Sequence, residues 1–237
     1  MEYRINFLWQ ALFMAINDTM FIMLWYFLFS AIPLINGYSM TDAIAVYGIS
    51  AFAYGLLAAF MGNRRSIWEI ITEGKLDLYL SQPIDELFHA LISKSNADGF
   101  GDILFGIVVL AIIAPHSIPL ALLVGVLGAV VLLSFTILSD SLGFVLERPR
   151  SATRSFNNLV LGFGSWPIDA FGGARGILYA VPIAFLATVP YHVLQTHSLA
   201  MLLSLVAVAG TMLAIALLVW KFGVRRYESG NLIATRG

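Results

Sequence analysis

The chain has 237 residues, of which 59% are hydrophobic and only 11% charged, with a net charge of −1 and no cysteine. So small a charged fraction, set against the roughly 25% of soluble domains, excludes an ordinary soluble globule. The near-zero charge excludes a polybasic nucleic-acid binder, and the missing cysteines exclude disulfides, thiolate metal sites and a cysteine nucleophile.

The amino terminus, MEYRINFLWQ, carries neither a short basic lead nor an A-x-A-type cleavage site after the first apolar run. The first span is therefore read as retained, not as a signal peptide. Six apolar blocks follow, at about 12–35, 43–61, 103–114, 119–145, 156–170 and 199–222. The third and fifth fall short of the roughly 17–25 residues of a straight crossing, and glycines and Pro167 break the fifth. A seventh run, Tyr179 to Pro190, is too short to cross and is bounded by prolines, which suits a re-entrant hairpin. With the N-terminus inside, six crossings put twelve of the 13 Lys and Arg residues on the cytoplasmic side, and Arg175 alone outside. The expected fold is all-α and polytopic, with six transmembrane helices, both termini cytoplasmic and a short extracytoplasmic hairpin before the last helix.

Asp18, in the stretch NDT, carries a carboxylate into or against the first span. Such a group costs at least ~2.5 kcal/mol at membrane depth, so it is either functional or a cap at the surface. The cap is the preferred expectation, with residues 1–16 forming a separate interfacial helix anchored by Tyr3, Arg4, Phe7 and Trp9. The largest cytoplasmic loop, 63–99, is partly amphipathic through Ile67, Ile70, Ile71, Leu76, Leu78 and Leu80. Pro83 ends this pattern and a short helix, Asp85 to Leu91, returns to the membrane. Lying on lipid headgroups is one reading. The polar face carries Glu69, Glu73 and Asp77, whereas helices on anionic leaflets favour Lys and Arg, so docking of another protein is the other.

Asp140, near the inner end of the fourth block, is expected to pair with Arg148 or Arg154, or else to line a pathway. GFGSWP, Gly162 to Pro167, lacks the G-x-S-x-G elbow of a serine hydrolase, and Gly162 and Gly164 suit close helix contact, as does the Ala51/Gly55 pair. His89, His116, His192 and His197 have no metal-ligand spacing. The run 171–198, with Pro182, Phe185 and Pro190, suits an extracytoplasmic gate. The apolar faces of spans one, two and five are the expected pathway and dimer seam.

Four stretches together resemble one family. The loop I-T-E-G-K-L-D-L-Y-L-S-Q-P at 71–83 is similar to the signature of six-span ABC-2 type transporter permeases. YRINF at 3–7, VPIAFLATVP at 181–190 and WKFGVRRYESGN at 220–231 resemble that family's amino-terminal helix, the segment before its last span and its carboxyl end. The resemblance implies a single ABC-2 transmembrane domain over residues 1–237 in the cytoplasmic membrane, the permease subunit of an exporter. It implies a connector helix at 1–16 and a coupling loop at 63–99, whose contact with the ATPase falls to Glu73, Gly74, Lys75, Leu76, Asp77 and Pro83. It also implies an outer gate at 171–198. No G-x-x-x-x-G-K-[ST] is present, so no cofactor is expected on this chain, and ATP with Mg would sit on a partner ATPase. The expected partners are that ATPase, a second permease copy or a related permease, and membrane lipid. The aliphatic and aromatic composition suits an amphipathic or lipid-like substrate. A non-transporting membrane protein whose loop docks another partner is the alternative; an intramembrane enzyme would need polar groups converging at one depth, and none is evident.

Overall fold

The computed structural model describes residues 2–227, with side chains from Ile5 onward. The anchors read at Tyr3 and Arg4, and the end beyond Tyr227 with Arg236, lie outside the described residues. Eleven α-helices account for most of the described chain, and no strand is named among the described residues. Four helical stretches are long and apolar enough to cross a membrane: Ile5–Ala31, Met40–Phe60, Ile118–Phe144 and Leu199–Val224. They belong to α1 (Glu2–Ala31), α2 (Met40–Phe60), α7 (Ile118–Asp140) with the 3-10 turn after it, and α11 (Leu199–Val224). The protein is a multi-pass membrane protein.

The other elements are shorter: α3 (Ile67–Thr72), α4 (Leu76–Leu80), α5 (Glu86–Ile92), α6 (Asp98–Ile113), α8 (Arg150–Gly164), α9 (Arg175–Ala180) and α10 (Thr188–Thr196). The third apolar block thus becomes α6, which begins five residues earlier than its apolar run. The fifth becomes α8, which begins at Arg150 and stops at Gly164, because Ser165, Trp166 and Pro167 cannot continue it. At 1.5 Å per residue α6 and α8 span roughly 24 Å and 22 Å, less than a ~30 Å hydrocarbon layer.

Helix starts follow local chemistry. Ser39 and Asp42 form a reciprocal capping box that opens α2, Ser198 caps α11, and Pro119 sits in the first turn of α7. The turn into α2 is tight, with Asn36 and Gly37 at positive φ and Ile35 bridged to Tyr38.

The anticipated break at Asp18 is absent. α1 runs through it as one helix, and Asp18 is 1% exposed, with its Oδ1 accepting a 2.8 Å bond from the Tyr47 hydroxyl. A partner on α2 removes the need for a cap. Asp140 also departs from expectation. It is fully buried at the end of α7, beside Ser139 and facing the charge of Arg64, whereas Arg148 and Arg154 line a separate cleft with Trp68 and Thr72.

α2 and α6 form the closest seam. Gly55 faces Gly99 and Asp102 there, and a Cβ on Gly55 would come within 2.7 Å of the Gly99 carbonyl oxygen. Where no hydrophobic drive separates helix from lipid, small residues are what let two backbones approach. Replacing Gly55 by Val is expected to lower the melting temperature of the purified protein by an amount equivalent to about 1–3 kcal/mol. Gly162→Val should leave it unchanged, because nothing lies within 4 Å of a Cβ there. Tryptophan fluorescence during heating distinguishes the two, and equal melting of both variants would refute the seam.

Candidate functional site

Interhelical segments gather at two ends of the bundle. At one end the segment between α2 and α6 closes on itself, the Gly62 amide donating to the Lys94 carbonyl and the Asn96 amide to the Ala58 carbonyl. Between these ties lie a 3-10 turn (Gly62–Ser66), α3, α4 and α5. Ile67, Ile70, Ile71, Leu76, Leu87, Ala90 and Leu91 bury together against Ile137, Ala216 and Trp220, which sit on α7 and near the end of α11. Trp220 is 1% exposed and its indole N–H donates 3.1 Å to Glu86 Oε1. Of the apolar stripe, Ile67, Ile70, Ile71 and Leu76 therefore face two long helices rather than lipid or a docked protein, since burying them there removes more apolar surface from water than a solitary helix at an interface would.

The six candidate coupling residues divide. Leu76 is fully buried and anchors the segment from within. Glu73 and Lys75 form an exposed ion pair, which raises the Lys75 ammonium, and between them Gly74 takes φ +71 to turn α3 into α4. Pro83 is exposed in the turn before α5. Asp77 adjoins Tyr227, whose phenol is pushed up first by burial and then by that carboxylate. Asp85 caps α5 by accepting from the Phe88 amide at 2.9 Å. Sequence reading missed the surface these elements present. Leu78, Leu80, Ile84 and Phe88 are all exposed, Leu78 at 68%, on a unit whose other face is fixed. Only the burial of their neighbours shows that these four point the other way.

At the opposite end, the segment from Trp166 to Thr196 folds against the α1–α2 turn. Its run 181–190 is largely internal, with Pro190 buried, Pro182 half-buried and Phe185 meeting the Tyr179 ring edge-on at 6.4 Å. A polar network ties it down. Tyr38 donates 2.9 Å to Asp169 Oδ2, and His192 Nε2 lies 2.8 Å from the same oxygen and 3.0 Å from the Tyr38 hydroxyl. Tyr191 donates to Asp42, the acid of the α2 capping box. Ser117, between α6 and α7, meets His197 at 3.0 Å. Burial pushes the Asp169 carboxyl up, but its bonds from His192 and Tyr38 outweigh this and hold it below its ordinary 3.8. Burial and that same carboxylate raise the Tyr179 phenol to about 12. Nothing in the sequence spacing of Tyr38, Asp169 and His192 announces this meeting.

A carboxyl with a depressed folded-state pKa stabilises above its unfolded pKa and loses that contribution as pH falls through the folded value. Asp169→Ala should therefore speed amide hydrogen exchange over 191–196 at pH 7 by roughly 5- to 30-fold, the equivalent of about 1–2 kcal/mol. The wild type should loosen in the same region only below about pH 4. Unchanged exchange in the variant would mean the network carries no load.

No curated protein and no solved structure matches this chain. A family model described as ABC-2 family transporter protein matches residues 15–231. That match begins inside α1 and passes the end of α11, taking in the buried-backed segment at one end and the tied-down hairpin at the other, and the chain belongs to the ABC-2 family of transporter proteins.

Proposed function

We propose that this chain is the permease subunit of an ATP-driven exporter in the cytoplasmic membrane, with no catalytic site of its own. In this reading α6 and α8 are the third and fifth of six crossings, shortened because α6 lies against α2 and α8 gives way to the hairpin. The grouping of segments supports it. Residues 32–39, 114–117 and 165–198 contact one another at one end, and 61–97, 141–149 and the end of α11 at the other. Alternation of this kind is what six passes with both termini on one side require. Arg64, Arg65, Lys75, Lys94, Arg148, Arg150, Arg154, Lys221, Arg225 and Arg226 then all fall inside, consistent with the positive-inside rule.

The observation that carries the reading is the folded segment 62–92. Its inner face is locked to α7 and α11, and its outer face offers Leu78, Leu80, Ile84 and Phe88 beside the Glu73–Lys75 pair. A partner ATPase that closes on ATP and grips this outer face would move α7 and α11 as rigid levers, because the packed core between them does not deform continuously. The ATP and Mg belong to that partner. A second copy or a related permease completes the pathway, and α1 and α11, with most of their apolar surface uncovered, are the helices free to meet it or lipid. The outer hairpin closes the far end of the route. The apolar faces favour an amphipathic or lipid-like substrate, moved outward.

To test this, the tagged chain is isolated from its native membrane and the retained proteins are searched for a chain bearing G-x-x-x-x-G-K-[ST]. Such an ATPase is expected with the wild type. It should fall by roughly tenfold or more, the equivalent of about 1.4 kcal/mol, with Leu78→Glu/Phe88→Glu. Leu76→Ala should instead destabilise the segment itself, by about 2–5 kcal/mol. Retention of no ATPase, or equal retention by the surface variant, would defeat the proposal.

A further inference from the structure

Asp18 lies thirteen residues from either end of the span Ile5–Ala31, roughly 20 Å in from each. Most of α1 is uncovered, yet this side chain is turned inward and 1% exposed. Asp102 on α6 is equally buried, and its carboxyl lies within hydrogen-bonding reach of that of Asp18. Tyr47 supplies a hydrogen bond to Asp18 Oδ1, but among the described residues Oδ2 of Asp18 and Oδ2 of Asp102 have no hydrogen-bond partner. Two adjacent carboxylates held out of water without a positive charge between them would cost several kcal/mol each. An occupant must offset that. A hard metal cation calls for about six oxygens, and among the described residues no group of three or more acidic or histidine side chains is placed to hold one. A proton needs only two oxygens.

A cleft lies near the pair. Asp98 stands one turn before Asp102 on α6 and lines an 840 Å³ cleft between the starts of α1 and α6, with Asn6, Gln10, Asn17, Lys94 and Asn96. The Asp98 charge acts on Asp102, as does that of Arg64 from the 3-10 turn after α2. Asp98 and Asp102 thus lead from the cleft, lined by Phe7, Phe13 and Met14 as well as polar side chains, inward by about one turn of α6 to the buried side chain of Asp18.

We propose that Asp18 and Asp102 together bind one proton, held as a carboxyl–carboxylate hydrogen bond between α1 and α6, and exchange it with the cleft through Asp98. On release the proton passes to the Asp98 carboxylate and from there to water, leaving two facing carboxylates whose repulsion drives α1 away from α2 and α6. The bound proton is therefore a clamp on α1. This site does not depend on the transport reading and would exist in a chain that moves nothing.

The test is infrared difference spectroscopy of the full chain in lipid vesicles, reading the C=O stretch of protonated carboxyl groups. An Asp140→Asn background removes the third fully buried carboxyl. At pH 7 this background should show a protonated-carboxyl band that is sensitive to deuteration. Either Asp18→Asn or Asp102→Asn should shift or remove it, and the double substitution should abolish it. Asp98→Asn alters a residue at the cleft surface, so this arm does not rely on the buried variants folding. It should keep the band but slow its deuteration by roughly tenfold or more. Absence of the band at pH 7, a band unmoved by either single substitution, survival in the double variant, or unchanged deuteration in Asp98→Asn would each overturn the proposal.

Discussion

The seam between α2 and α6 is the contact on which most of the remaining architecture depends. Gly55 and Gly99 let the two backbones touch where side chains of any size would hold them apart. Because both helices are pinned there, the 62–92 segment between them must leave and return at nearly the same place, and the bonds from Gly62 to Lys94 and from Asn96 to Ala58 close its neck. A loop closed at its neck has lost much of its conformational entropy before it packs, which is why four short elements can hold together on one small core. The seam also sets the depth of Asp102 and brings it to the helix that carries Asp18.

Among the described residues, the buried ionisable side chains sit in a few places, each with a distinct partner arrangement. Asp18 and Tyr47 meet across α1 and α2, and Asp140 sits with Ser139 near a buried Arg64 stacked 4.6 Å over the Tyr54 ring. The Tyr38–Asp169–His192 cluster stands at the other end, half in water. Charged groups in a low-dielectric bundle are costly unless satisfied, so they mark positions where the chain gives up stability for something other than packing. Their distribution separates an end of the bundle held by apolar anchoring around Trp220 from an end held by hydrogen bonds around Asp169. Bonds of the second kind, half in water, exchange with solvent more readily than the apolar contacts at the first end.

Much of this was legible in the residues. The four longest apolar blocks, the stop at Pro83 and the short helix opened by Asp85 follow from local rules and recur in the structure. Asp18 misled because a carboxylate beside an apolar run is, on local grounds, better explained as a cap than as a mid-span group. What reverses that inference is Tyr47, twenty-nine residues away. The stripe Ile67, Ile70, Ile71 and Leu76 was visible as amphipathic, but not what it would lie against. Periodicity names the buried face of a helix and is silent on its partner.

Sequence alone determined that the chain lives in a membrane, that its long elements are helices, and roughly where their apolar stretches lie, but not that α1 runs unbroken through Asp18 or that α6 and α8 begin before their apolar runs. In lipid each backbone amide must be satisfied within its own segment, so composition and local spacing suffice for that much. Only the tertiary structure decided which carboxyls are buried together, which side of the 62–92 segment is left exposed, and which residues hold the 166–196 segment to the turn between α1 and α2. Those outcomes depend on distances between residues far apart in the chain, such as Tyr38 and His192 or Glu86 and Trp220, and no local pattern encodes a distance of that kind.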